Sequence, residues 1–247
     1  SAASDVYKRQ EALHLAGHLY SGHTEIFADY THTPHYAMLL MSGKLRVIHC
    51  TTHVSMRKAC DLITKERVGE VIGLADQAMK MMGLPHYTIG VAGLNAHCSE
   101  NGLFGTEEAE AISPAIREAQ AKGIHVEGPV PPDTVFVKAL AGQYDVVVAM
   151  YHDQGLAPFK TLAMDDGVNY TAGLSIVRTS PAHGTAYDIA GQNVASEESF
   201  RQALYAALDI YRNRIRYREA TANPLRKQYF DKGGDNEKLD LTKEEDE

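Results

Sequence analysis

The densest group of chemically capable side chains is the segment YHDQGLAPFK at 151–160, which directly follows an apolar run. An imidazole, a carboxylate, a carboxamide and an ammonium are supplied by His152, Asp153, Gln154 and Lys160. Such groups can bind a metal, move a proton and hold an anion. The apolar run predicts a buried parallel strand, and ligands of open α/β sheets gather where such strands end. The alternative is a polar strand end whose side chains only satisfy one another.

Two further histidines, His53 and His97, also follow apolar runs that predict strands. The three histidines are too far apart in sequence to form a local metal motif, and a histidine at a strand end is more often a hydrogen-bonded structural residue. Their equivalent placement after three strands nevertheless favours a shared site at one edge of a sheet.

Strand and helix patterns alternate along the chain, which predicts an α/β fold with a largely parallel sheet. Apolar runs predict strands at 45–50, 87–92 and 146–150. Helices are predicted from the N-cap Thr64 to Gly83, from Glu107 and Glu108 to Gly123, and after Ser196. The last helix has an apolar side made of Phe200, Ala203, Leu204, Ala207, Leu208 and Tyr211.

The composition narrows the class of protein. The chain has 247 residues, of which 44% are hydrophobic, enough for one or two compact domains. A net charge of -8 argues against a nucleic-acid partner. No apolar run is long enough to span a membrane and no signal peptide is visible, so we expect a soluble protein. The three cysteines show no CxxC spacing, which favours a reducing cytoplasm over a disulfide framework or a thiolate zinc site.

Six sequence blocks resemble, in type and order, the 4-hydroxythreonine-4-phosphate dehydrogenase family of pyridoxal phosphate biosynthesis, which includes relatives acting on phosphorylated threonate or erythronate. Besides 151–160, the blocks are SGHTE at 21–25, TTH at 51–53, GLNAHCSENGLFGTEE at 93–108, GPVPPDTVF at 128–136 and DGVNYTAGLSIVRTSPAHGTAYDIAG at 166–191. The match extends from about Ser21 to Asn213. Any one block alone would be a weak signal, whereas six in the right order are specific.

The resemblance implies the isopropylmalate-dehydrogenase-like fold, two α/β domains around a cleft, with mostly the second domain present here. Residues 11–191 would form the metal- and substrate-binding domain, and 192–230 a C-terminal helix returning to a largely missing first domain. The family has roughly a hundred further residues before SGHTE, so we expect an N-terminally truncated chain. Residues 1–10 match a common sequencing adapter translated in frame and are expected to be an artefact. The charged segment 231–247 is expected to be disordered.

By the same resemblance, His53, His97 and His152 bind a divalent metal, with one histidine contributed across a homodimer interface. Three neutral imidazoles leave positions open for substrate oxygens and favour zinc, with magnesium or cobalt as alternatives.

Residues matching the family's substrate-binding positions are His23, Thr24, Lys160, Asn169 and Arg178. They would hold a phosphorylated small molecule, because lysine and arginine supply charge and the others supply oriented polar groups. Without the motif context, Lys160 and Arg178 would be interpreted as ordinary surface charges.

The catalytic candidates are Asp133, Asp153 and Lys160. The two carboxylates could transfer a proton or orient the histidines. The alternative for each is a simple turn or cap role.

The implied reaction is oxidation of 4-hydroxythreonine 4-phosphate by NAD (or NADP), followed by decarboxylation, with threonate or erythronate 4-phosphate as the alternative substrate. The chain has no strand-linked GxGxxG, and the family's dinucleotide site is not of the Rossmann type, so the cofactor-binding residues stay unassigned. A non-catalytic metal- or phosphate-binding fragment is the alternative from another class. We expect this chain to form a dimer that binds metal but reduces NAD poorly.

One block departs from the family pattern. The usual GLNPHAGE is GLNAHCSE here, with Ala96 for proline, Cys98 for alanine and Ser99 for glycine. The histidine is kept, but the turn around it must differ, which puts the substrate preference in question.

Overall fold

The computed structural model describes residues 10–184 and 186–223. The strands in these ranges are β1 (Ala37–Ser42), β2 (Leu45–His49), β3 (Ile89–Ala92), β4 (Val126–Val130), β5 (Val146–Ala149), β6 (Val168–Ala172) and β7 (Thr179–Pro181). The helices are α1 (Gln10–Leu15), α2 (His23–Tyr30), α3 (Met56–Leu62), α4 (Lys65–Met81), α5 (Ser113–Ala121), α6 (Val135–Leu140), α7 (His152–Ala163) and α8 (Glu198–Thr221).

All seven strands of the described ranges join one mixed sheet in the order β4-β3-β5-β2-β1-β6-β7. The four strands from β4 to β2 are parallel, whereas β1, β6 and β7 pair antiparallel. The prediction of a largely parallel sheet is therefore right for one half and wrong for the other. The connection between β1 and β2 is only Gly43 and Lys44, and so short a loop can join only antiparallel strands.

The core lies on both faces of the sheet, which explains why β5 is apolar throughout. Val146 and Val148 pack into one cluster with Val68 of α4, whereas Val147 packs into the other with Phe159 of α7. A strand covered on both faces must be hydrophobic at every position rather than at alternate ones. This covered strand leads directly to His152.

Helix α4 begins as predicted. The Thr64 hydroxyl accepts a hydrogen bond from the Arg67 backbone N–H (3.2 Å), as expected of an N-cap. The helix ends at Met81, two residues before Gly83. Its apolar side, including Val68 and Ile72, is fully buried.

Helix α8 differs from the prediction, because most of its predicted apolar side faces solvent. The exposed members of that side are Phe200, Leu204, Leu208 and Tyr211. The helix instead packs by a narrower side, where Ser199, Ala203 and Ile210 are buried. The Thr179 hydroxyl donates to the Ala203 carbonyl (2.8 Å), so small residues let α8 approach the edge strand closely.

The predicted division at residue 191 stays a prediction. The adapter-like residues 1–9 and the tail at 231–247 lie outside the described residues. None of the helices in the described ranges is long and apolar enough to cross a membrane.

Candidate metal and anion site

The sheet brings the three predicted histidines to one edge. Strands β3, β5 and β2 are neighbours and run parallel, so their carboxyl ends lie together. His53 follows β2 and His97 follows β3. His152 begins α7 after β5, the strand that lies between β3 and β2. This is the edge at which open α/β sheets bind ligands.

A pocket at this edge gathers most of the predicted site residues. It is lined by His23, Thr24, His53, His152, Lys160, Asn169 and Arg178, together with apolar side chains such as Met38 and Leu156. Its cavity volume is about 100 Å³. Complete small-molecule pockets usually have roughly 300–1,000 Å³. The cavity enclosed by the described residues is therefore smaller than a complete small-molecule pocket.

His53 and His152 form a pair at the pocket. Their ring centroids are 5.9 Å apart, and each side chain is 32% exposed. His53 Nδ1 lies 3.3 Å from Glu25 Oε1, and His152 Nδ1 lies 2.7 Å from Asp153 Oδ1. A carboxylate at Nδ1 favours the tautomer with the proton there, which leaves Nε2 with a free lone pair. Histidines that bind metals are commonly oriented by such carboxylates.

Glu25 is the site residue that the sequence analysis overlooked, although it is the last residue of SGHTE. Burial alone would raise the pKa of Glu25, but hydrogen bonds from His53 and from a backbone amide hold this pKa below its usual value. Glu25 is therefore ionised near neutral pH and suited to accept a hydrogen bond from an N–H group. Its signal in the sequence was an acidic residue two positions after His23.

The other side of the pocket can receive an anion. Arg178 is buried, its Nη1 donates to the Thr171 hydroxyl (3.2 Å), and its guanidinium lies 5.5 Å from the Phe27 ring centroid. Asn169 Oδ1 is buried without a hydrogen-bond partner within the described residues. A fixed cation beside an amide that still needs a partner suits a ligand with anionic and hydroxyl groups.

His97 lies apart from this pocket. It is exposed and its ring packs 6.4 Å from that of Phe104. Between residues 10 and 223, leaving out 185, no group of three or more His, Cys, Asp or Glu side chains could hold a metal ion. The chain thus unites two of the three predicted ligands.

The two carboxylates predicted as catalytic candidates, Asp133 and Asp153, are also separated. Asp153 lies beside His152, as described above, although it is outside the pocket lining. Asp133 is exposed and lies near the His97 loop. Burial, the charge of Glu108 and then that of Asp133 raise the pKa of Cys98 in that loop to about 11. Asp133 therefore lies near the His97 loop and not at the pocket.

The donor set fits a late divalent metal, because two imidazoles whose Nδ1 atoms face carboxylates can offer their Nε2 atoms as ligands. A nicotinamide dinucleotide does not fit the pocket, since the cavity of about 100 Å³ is far too small for it. This pocket by itself is therefore not a dinucleotide site.

The sheet and the site at the ends of its parallel strands identify the class of protein by its fold. The fold is shared with a beta-decarboxylating dehydrogenase from Thermococcus kodakarensis, with a TM-score of 0.50 and 15% identity, covering 87% of this chain and 65% of that one. The expected isopropylmalate-dehydrogenase-like fold is confirmed. The chain belongs to the family of the pyridoxal phosphate biosynthetic protein PdxA, which matches residues 8–207.

Individual relatives fall into two groups by name. A D-threonate 4-phosphate dehydrogenase from Salmonella typhimurium is 54% identical over 201 residues, covering 81% of this chain and 62% of the relative. A 4-hydroxythreonine-4-phosphate dehydrogenase from Bacteroides thetaiotaomicron is 49% identical over 224 residues, covering 90% and 62%. The crystal structure of a 4-hydroxythreonine-4-phosphate dehydrogenase from Klebsiella pneumoniae matches with a TM-score of 0.72 and 51% identity, covering 82% and 62%. The chain thus spans about three-fifths of the length of these relatives.

Proposed function

We propose that this chain is the metal- and substrate-binding part of an NAD-dependent dehydrogenase. The enzyme would oxidise and decarboxylate 4-hydroxythreonine 4-phosphate in pyridoxal phosphate biosynthesis. The observation that carries the proposal is the pair His53 and His152, each oriented by a carboxylate, in the same pocket as Lys160 and Arg178. Membership of the PdxA family supports the reaction class.

Each pocket residue has a part in this proposal. His53 and His152 would hold the metal through Nε2, with Glu25 and Asp153 keeping the imidazoles in place. A metal held there would supply Lewis-acid chemistry, lowering the pKa of an alcohol bound to it.

The anionic ends of the substrate fall to other residues. Lys160 and Arg178 would bind the phosphate and carboxylate, and the Asn169 side-chain oxygen would accept a hydrogen bond from a substrate hydroxyl. His23 and Thr24 line the same pocket and complete its polar wall. Asp153 and Lys160 remain candidates for proton transfer, since both lie at or beside this pocket, whereas Asp133 accompanies His97.

The third ligand would come from a second copy of the chain. His97 is exposed and stands outside the pocket, which supports a homodimer in which His97 of one protomer completes the site of its partner. Zinc fits three imidazoles best, with cobalt or magnesium as alternatives.

NAD or NADP is the proposed hydride acceptor, and no residue is assigned to it. The cytoplasm is the proposed location, supported by the three free thiols Cys50, Cys60 and Cys98.

D-threonate 4-phosphate is a second candidate substrate. The relative of that name from Salmonella typhimurium is 54% identical, compared with 49% for the 4-hydroxythreonine-4-phosphate dehydrogenase from Bacteroides thetaiotaomicron. The two compounds differ at the second carbon, which carries a hydroxyl in one and an amine in the other. Both keep the phosphate, the carboxylate and the alcohol that the pocket would bind.

The test compares both compounds directly. Calorimetry with the zinc-loaded chain measures binding of each compound, and NADH absorbance measures turnover by the full-length protein. Arg178→Gln and Lys160→Ala should each weaken binding at least tenfold, whereas the exposed control Lys44→Ala should not. Circular dichroism checks that the variants fold. Binding without turnover of either compound would favour a non-catalytic module, and absence of both would contradict the proposal.

A further inference from the structure

The turn that carries His97 has an unusual backbone. The φ angles of His97, Cys98, Ser99, Glu100 and Asn101 are 51°, 53°, 65°, 41° and 56°. Five consecutive non-glycine residues thus adopt the left-handed conformation, which crowds Cβ against the backbone. Such a turn persists only when contacts with the surrounding structure stabilise it.

Glu108 holds the start of this turn. Its carboxylate is 4% exposed and faces four donors. Oε1 accepts from the backbone N–H groups of Leu94 (2.8 Å) and Asn95 (2.7 Å). Oε2 accepts from Asn95 Nδ2 (3.0 Å) and from the Ser99 hydroxyl. Ser99 therefore gains a hydrogen bond at a position where its positive φ would favour glycine.

Gln154 holds the same backbone from the opposite side. It is 9% exposed, and its Nε2 donates to the Gly93 carbonyl (2.8 Å). Its Oε1 accepts from the Met150 N–H (2.6 Å) at the end of β5. The Gly93 carbonyl and the Leu94 N–H belong to one peptide group. Gln154 thus binds the oxygen of this peptide while Glu108 binds its nitrogen.

The packing around Gly93 leaves this peptide little freedom. A Cβ added at Gly93 would lie 2.8 Å from Cys98 Sγ and 3.2 Å from Glu108 Oε1. Glycine is therefore needed for the loop and the carboxylate to approach this closely.

We propose that Gln154 and Glu108 are positioning residues that clamp the Gly93–Leu94 peptide and so fix the His97 loop relative to the start of α7, where His152 lies. The inference rests on the proposed role of these histidines as metal ligands. Gln154 is two residues from His152, and Glu108 holds the loop that leads to His97. One peptide group therefore sets the spacing between two ligand-bearing segments.

Hydrogen–deuterium exchange of the metal-free chain tests the clamp itself. Gln154→Ala should speed exchange of the Asn95 amide, which Gln154 does not touch, at least tenfold. Glu108→Gln should speed exchange of the Met150 amide in the same way. Glu110→Gln is the matched control, because Glu110 is exposed on the same segment. Purely local effects in both variants would overturn the clamp.

Cobalt titration followed by visible absorption tests the link to the site. Partners that orient metal ligands typically affect metal affinity by about 10–100-fold, so we expect losses of that size in Gln154→Ala and Glu108→Gln. Unchanged cobalt affinity in variants with altered exchange would refute the positioning role. If the variants show the expected exchange of the Asn95 and Met150 amides but the wild-type chain binds no cobalt, the proposed metal function is refuted and the clamp is not.

Discussion

The ends of β2 and β5 and the end of β3 present site histidines in two different ways. At β2 and β5, His53 and His152 lie in a pocket, oriented by side-chain carboxylates and backed by α7. At β3, His97 is exposed in a left-handed turn whose backbone is held by Glu108 and Gln154. The first region fixes the side chains themselves, whereas the second fixes the loop and leaves the side chain projecting outward.

Under the proposed roles, the two arrangements suit two kinds of metal ligand. A ligand that serves its own chain can be oriented by a neighbouring carboxylate in the same pocket. A ligand that would serve another subunit must project from the surface, so only its backbone can be preorganised. The proposed shared site therefore needs both solutions at once.

Removing any one histidine should give the largest effect. Zinc-finger sites contribute roughly 10–16 kcal/mol over four ligands, or about 2.5–4 kcal/mol per ligand, so His53→Ala, His97→Ala or His152→Ala should each weaken metal binding about 100-fold to 1,000-fold. Zinc competition titration measures this, with the exposed His86→Ala as control. An unchanged metal affinity in His97→Ala would show that His97 is not a metal ligand.

A mixing experiment sharpens this prediction. If the site is shared, mixing the His97→Ala and His53→Ala chains and letting their protomers exchange should restore one strong metal site per heterodimer. Neither variant alone should bind tightly. Failure of the mixture to bind, with dimers confirmed by sedimentation, would show that the ligands do not cross between protomers.

The buried side chain of His49, at the end of β2, should make the stability of the fold depend on pH. This side chain is fully buried, and burial lowers its pKa to about 4. The unfolded chain takes up a proton near pH 6.5, while the folded chain resists it down to about pH 4. Stability is therefore lost as pH falls through this window, by about 2–3 kcal/mol between pH 7 and pH 4.5. Urea unfolding should show this loss reduced in His49→Gln and kept in His86→Gln.

The contact between β2 and α7 predicts a smaller effect. A Cβ added at Gly155 would lie 2.2 Å from His49 Nε2, whereas one added at Gly73 of α4 would meet nothing within 4 Å. Gly155→Ala should therefore destabilise the fold by about 1–3 kcal/mol. Gly73→Ala should stabilise it by up to about 1 kcal/mol. Equal stability of the two variants in urea would show that α7 can move away from β2.

Replacing the carboxylates that contact the histidines, Glu25 and Asp153, should give the smallest effects. The Glu25 side chain is 19% exposed and that of Asp153 is 78% exposed, so only the first hydrogen bond is shielded from water. Glu25→Gln should weaken cobalt binding about tenfold, toward the low end for such partners. Asp153→Asn should change it less than about threefold, as exposed pairs contribute little. Asp61→Asn is the control, and a larger effect at Asp153 would reverse our interpretation.

The sequence predicted the strands that end at the site and the residues that line its pocket. The strands were predicted because a strand buried on both faces leaves a long apolar run. The pocket residues His23, Thr24, Lys160, Asn169 and Arg178 were predicted from the resemblance of their motifs to those of the family. The sequence did not predict Glu25, Glu108 or Gln154 as partners. Their hydrogen bonds join residues 28, 13 and 61 positions apart, and no local pattern encodes such distances.

The antiparallel half of the sheet and the exposed side of α8 were missed for a related reason. Strands β6 and β7 are short and lie inside a motif that we interpreted by its chemistry alone. For α8, apolar periodicity identifies a helix and its apolar side but not which part of that side finds a partner.

Helix α7 carries His152 at its first residue and Lys160 two turns later, and both line the pocket. At about 1.5 Å per residue, their backbone positions are separated by about 12 Å along the axis. A rigid helix cannot shorten this interval. Under the proposed roles, α7 would favour substrates in which the distance between the oxidised carbon and the anionic end matches the fixed interval between His152 and Lys160.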